Sequence, residues 1–158
     1  MAGDVYSANG AKLFIGPSVT PTTDTVAEFA ALTWTEVGNV QSLGEYGDEA
    51  QDIPFTALGD GRTRHAKGSR DASVISVVVG RDGTDTGQIA LSAAEATNNN
   101  FGFKIVLPNR LTSGGTDEIN YFRANVRSKR KNVGSANNVI MDTYNVGISS
   151  PVYEVAAT

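Results

Sequence analysis

Cysteine is absent from all 158 residues. Its absence removes disulfides, thiolate metal sites and a cysteine nucleophile together, and fits a chain made and folded in a cytosol without covalent cross-links. Histidine occurs once, at His65. No GxSxG turn accompanies it for a Ser-His-Asp arrangement, and no second histidine can join it around a metal. It reads as a solvated loop residue. No apolar run approaches the roughly 18 residues of a membrane span. The opening MAGDVYSANG has neither the basic nor the apolar region of a secretory signal. Basic residues are nearly missing from the first sixty positions, where nine acids face one base, Lys12. Residues 61–131 reverse this with twelve bases and six acids, and the last stretch adds two acids, which closes the sum at −4.

What is present is short, turn-punctuated and β-favouring. Apolar residues make up 40% and glycine numbers 17, which suits a loop-rich globular β protein rather than a coiled coil or disordered chain. The length fits one domain, 1–158, able to bury roughly 68–70% of its unfolded surface. Residues 11–15 predict a strand ended by Gly16-Pro17, and 17–25 a turn-forming stretch. Ala27–Leu32 has room for one helical turn. From Trp34 a strand runs toward Leu43 with a kink at Gly38. Residues 72–80 read as a central strand buried on both faces.

Asp82–Thr86 offers turn and cap residues for the one clear helix, Gln88–Thr97, which its alanines favour. Strands follow at 101–107 and 119–131. In the second, Phe122, Ala124 and Val126 face a core, while Arg123, Asn125, Arg127, Lys129 and Lys131 face away. The return strand, about 139–149, buries Ile140, Tyr144, Val146 and Ile148, with Asp142 interrupting. Val152–Val155 is an edge strand or tail after Pro151. No βαβ order appears, so the fold reads as mainly β: a sandwich or barrel with one flanking helix.

One stretch stands apart. Glu45–Asp71 is too long and too rich in glycine and charge for an ordinary connection. Glu45, Asp48, Glu49 and Asp52 fill its first half; Arg62, Arg64, Lys67 and Arg70 fill its second, with Asp60 between. We read a long protruding loop, an arm suited to contact with another copy of the chain, because complementary potentials orient association. Leu58-Gly59-Asp60-Gly61 lacks the Walker lysine spacing, and Asp82-Gly83-Thr84-Asp85 lacks the closing glutamate of a calcium loop. Both are turns. The row Arg123, Arg127, Lys129 and Lys131 invites a nucleic-acid reading, yet only Tyr121 is interleaved for stacking, and an acidic chain does not favour tight phosphate binding.

Several patterns then coincide in order. They are Asn9–Gly16 (NGAKLFIG), Trp34–Gly38 (WTEVG) with Val40–Gly44 (VQSLG), and Leu58–Asp71 (LGDGRTRHAKGSRD). The buried strand, Gln88, an alanine-rich helix and Phe101–Pro108 (FGFKIVLP) complete the set. Over residues 8–108 the chain resembles the tail tube (major tail) proteins of long-tailed bacteriophages and related gene transfer agents.

The resemblance implies a β-sandwich with a flanking helix, six copies in a ring, and rings stacked into a hollow tube in the virion tail. It implies no enzyme activity, no cofactor, no metal and no membrane. DNA would pass through the bore without sequence recognition, and tape measure, terminator and distal tail proteins would be neighbours. Carried onto this chain, the arm reaches an adjacent ring, with Glu45, Asp48, Glu49, Asp52, Asp60, Arg62, Arg64, Lys67 and Arg70 as contact candidates. The terminal segments are further candidates for inter-ring arms. The basic row meets a lateral neighbour or lines the bore. Two alternatives stand beside this: another ring-forming tail part, such as a terminator or connector, and a monomeric virion β-sandwich that binds the host.

Overall fold

A computed structural model describes residues 3–158. Its main sheet is antiparallel and follows a path of seven strands: β2 (Thr35–Val37), β1 (Lys12–Ser18), β7 (Phe101–Leu107), β8 (Glu118–Asn132), β9 (Met141–Ile148), β6 (Val74–Gly80) and β3 (Val40–Ser42). An eighth strand, β10 (Tyr153–Val155), pairs with the first part of β8. The two ends of the path are neighbours in sequence, since only Gly38 and Asn39 separate β2 from β3. The sheet therefore curls until its edges meet. The expected kink at Gly38 is this joint, and Asn39 takes a left-handed φ of 57° to turn it.

The inside of the curl is the core. It gathers Leu13, Ile15, Ile75, Val77, Val79, Phe103, Ile105, Phe122, Ala124, Val126, Tyr144, Val146 and Ile148, one face from each long strand. Helix α2 (Thr86–Glu95) adds Leu91 and Ala94 to the same cluster. Asp85 caps it by accepting from the Gln88 amide at 2.9 Å. Phe103 and Phe122 stack with ring centres 5.6 Å apart.

A second apolar layer lies on the outer face of β1, β7 and β8. The short helix α1 (Val26–Ala30) drops Phe29 onto it, fully buried, against Tyr121 and Tyr153. Trp34 lies on the same face, its ring 3.1 Å from where a Cβ on Gly16 would stand and 3.3 Å from one on Gly102. Side chains at those two positions would lift the indole off the sheet. Flanking helices thus number two, with α1 occupying the helical turn foreseen at 27–32.

The structure corrects four local expectations. Gly16-Pro17 does not end β1, which runs to Ser18 through a register shift between Ile15 and Ser18. Strand β6 is not buried on both faces: Ile75, Val77 and Val79 point inward, while Val74 and Ser76 are exposed. Ile140 is exposed because β9 begins one residue later, whereas Asp142 is fully buried. Finally, the alternation along β8 does not hold to Lys131. Val126 pairs with Val146 but Ser128 pairs with Asn145, so Arg127 is an extra residue in the strand. Such a bulge reverses the facing of everything after it.

Candidate assembly surfaces

The stretch Glu45–Asp71 forms a two-stranded antiparallel hairpin of its own, β4 (Glu49–Thr56) and β5 (Thr63–Asp71), separate from the main sheet. Asp52 to Thr56 are all exposed, and in β5 only Gly68 is partly covered. An isolated hairpin is marginal in water. This one is also two-faced. Directly opposed residues share a face, so the pairs Ile53↔Ala66 and Phe55↔Arg64 lie on one side. Asp52↔Lys67, Pro54↔His65 and Thr56↔Thr63 lie on the other. Ile53 and Phe55 are 52% and 63% exposed, and Leu58 at the tip is fully exposed. The first side is an uncovered apolar face, which the reading of the arm by its sorted charge had hidden.

The sorted charge of the arm is the two strands of this hairpin. Acidic β4 lies against basic β5, and part of the attraction is spent inside the arm. Arg64 bridges to Asp60, and Asp60 also accepts from the Arg62 amide at 3.0 Å, which closes the turn. His65 Nδ1 lies 2.9 Å from Asp52, on the polar side. Arg62, Lys67 and Arg70 make no ion pair among the described residues. Neither do Glu45, Asp48 and Glu49, which border a hollow of about 640 Å³ at the arm's root. Tyr46 anchors the root. Its ring lies 6.3 Å from Phe122 and its hydroxyl accepts from Asn120 at 3.1 Å. Burial, then the Glu118 carboxylate, pushes that hydroxyl's pKa up.

The basic row of β8 is split rather than continuous. Arg123 is structural: its Nη1 donates to the carbonyls of Pro21 and Thr23 at 3.4 and 3.0 Å, fastening the segment that carries α1. Arg127, the bulge residue, lies over Gly147 on the outer face. Beyond the bulge, Lys129 is paired with the buried Tyr144 and Lys131 with the buried Asp142; Lys129 turns toward α2, while Lys131 stays exposed beside Asp142. Lys129 Nζ lies 3.0 Å from Ser92 Oγ on that helix. Burial, then Lys131 and Arg81, holds its pKa below the usual lysine value. Asp142 is the counter-charge, 3.3 Å from Arg81 and 3.9 Å from Lys131. A single outward basic row is excluded. Sequence reasoning missed this because a bulge has no residue signature here; a glycine opposite, Gly147, is the one trace of it.

The C-terminal segment is held against the body. The Thr158 amide donates to Thr116 at 3.0 Å, and its carbonyl accepts from Leu111 at 3.1 Å. The N-terminal segment is open from Gly3 to Gly10, with Val5 and Tyr6 exposed.

The arrangement has no cluster of His, Asp and Glu able to hold a metal among the described residues. It has instead unsatisfied surfaces. No curated protein sequence matches the chain. Among solved structures, a chain of the six-fold symmetrised baseplate of the anti-feeding prophage is similar at a TM-score of 0.73 and 9% identity, covering 100% of this chain and 99% of that one. The SPP1 tail tube is similar at 0.59 and 11% identity, covering 92% and 76%. These likenesses show the shared fold. The family model for phage tail tube protein matches residues 18–157. The chain belongs to the phage tail tube protein family, structural components of the virion tail and not enzymes.

Proposed function

We propose that this chain is the repeating subunit of a hollow tail tube: six copies close a ring, rings stack through the arm, and the bore conducts the genome. The observation that carries the reading is the β4–β5 hairpin, which projects Ile53, Phe55 and Leu58 with nothing of its own body to cover them. Membership of the tail tube family, and the likeness to a chain of a six-fold symmetrised baseplate, support it. A tube needs a contact that closes and one that propagates, and the arm supplies the second. Tape measure, terminator and distal tail proteins would meet the tube at its ends.

Negative-stain microscopy of the concentrated purified chain tests this. Rings and tubes of uniform bore are the expected result. A monomer at every concentration and salt overturns it. A second reading, a short tube-end component, is favoured by the full-length likeness to a baseplate chain. Polymer length separates the two: a tube subunit grows long, and an end component stops at one or two rings.

A further inference from the structure

Exposed large apolar residues gather in two places besides the open N-terminal segment. One is the arm. The other is the loop joining β8 to β9, residues 133–140, where Val133, Val139 and Ile140 are 58%, 70% and 46% exposed. These two places lie at opposite ends of the subunit. Asp71, the last residue of the arm, leads through two residues into Val74 at the start of β6. At the other end of that strand Gly80 pairs with Met141, and the Arg81 amide donates to Ile140 at 2.9 Å. The six steps of β6 set the ends about 20 Å apart.

Charge follows the same polarity. The arm's root carries Glu45, Asp48 and Glu49 without ion-pair partners among the described residues. Toward the far end, Arg130, which pairs with Thr143, is exposed and equally unpaired. Each end thus offers an apolar cluster beside free charge: three carboxylates with Arg70 among them at the arm's root, and Arg130 toward the other end.

Resting on the tube reading above, we propose that the 133–140 loop is the seat for the arm of a second copy of this chain. The apolar face of the hairpin covers Val133, Val139 and Ile140, and the carboxylates of the root come to face Arg130. The contact is heterologous, one end meeting the other, and therefore propagates instead of closing on itself. It also completes a hairpin that is marginal alone. Exposed apolar groups on both partners lose water together, and opposite potentials set the direction of stacking.

The absence of cysteine makes the test clean. Phe55→Cys and Val139→Cys are introduced singly and together, and the proteins are mildly oxidised under conditions where microscopy shows tubes. The double variant is expected to give a ladder of cross-linked multimers. Mixed single variants are expected to give one heterodimer band. Tubes without cross-linking overturn this inference while leaving the tube reading intact, and so do tubes in which Phe55→Cys alone forms homodimers. Absence of tubes in the unmodified chain overturns the tube reading itself. Charge exchange gives a check that does not depend on sulfur geometry. Asp48→Lys with Glu49→Lys should abolish stacking, and adding Arg130→Glu in the same chain should restore it at least in part. Failure of that restoration, with every variant folded, counts against the seat.

Discussion

Gln88, on α2, is hydrogen-bonded to Gly38, at the joint where the two edges of the sheet meet: its Nε2 donates to the Gly38 carbonyl at 3.0 Å. The same amide nitrogen donates to Gly80 at 2.9 Å, and its oxygen accepts from Asp82 at 3.0 Å. One fully buried side chain therefore ties β2–β3, the end of β6 and the turn before α2. Asp85 joins in by accepting from the Gly38 amide at 3.1 Å. Gly87 lets the helix come this close, since a Cβ there would stand 2.2 Å from the Glu36 carbonyl.

Gln88→Ala leaves two carbonyls and an amide without their partner in a site closed to water. An unmade buried hydrogen bond costs about 1–3 kcal/mol, so a total loss of about 3–5 kcal/mol is expected. Urea denaturation measures it. A loss below about 1 kcal/mol would show that the closure is held elsewhere.

Asp142 offers a second measurement. Its carboxylate is fully buried between Arg81 and Lys131, and Oδ1 has no hydrogen bond. Removing one member of a buried ion pair costs about 3–5 kcal/mol. Arg81 and Lys131 both reach water, so Asp142→Ala is expected to cost about 2–3 kcal/mol. Because Lys131 sits at the overhanging end of β8, hydrogen exchange should rise first in residues 129–132. Uniform loosening of the whole sheet would contradict this local role.

Much of this fold was legible in the sequence, because alternation and turn residues carry strand identity. Phe122, Ala124 and Val126 face the core as the period-two pattern requires, and Tyr144, Val146 and Ile148 do the same. What escaped was set by pairing between distant strands. The bulge at Arg127 depends on how β9 meets β8, and it puts Lys129 and Lys131 beside Tyr144 and Asp142 where simple alternation points them away. Asp142 looked like an interruption because its nearer ion-pair partner, Arg81, lies far off in sequence and its pairing with Lys131 depends on the bulge. The arm's length and exposure were readable. Its apolar face was not, because Ile53 and Phe55 gain meaning only once the register with Ala66 and Arg64 is known.

Glu28 makes α1 sensitive to acid. Its carboxylate accepts from the Asp24 amide at 3.0 Å and from the Thr25 hydroxyl at 3.0 Å, which hold its pKa below 4.5. A carboxyl whose folded pKa is depressed contributes stability above its unfolded value and loses it as pH falls through the folded one. The cap should therefore be intact above pH 4.5 and release below it. The only tryptophan reports the event, because Trp34 Nε1 donates to the Phe29 carbonyl at 3.1 Å. Glu28→Gln should lower stability at neutral pH and flatten the acid limb of the fluorescence titration. An unchanged acid limb would detach Glu28 from the transition.

On the proposed tube reading, the arm serves assembly and not folding. Its apolar face contributes nothing to the core, since Ile53, Phe55 and Leu58 are exposed and absent from the buried cluster. Each apolar side chain fully withdrawn from water contributes about 1.5–3 kcal/mol. Replacing all three by serine therefore removes several kcal/mol from each inter-subunit contact and almost none from the monomer. The triple variant should melt within a few degrees of the parent and remain monomeric or stop at single rings. Reversing Arg62, Arg64 and Lys67 is a less clean experiment, because Arg64 closes the arm's own turn through Asp60. Scanning calorimetry beside microscopy of the serine variant decides the matter. Long tubes from it would mean that the hairpin's apolar face is not what joins one ring to the next.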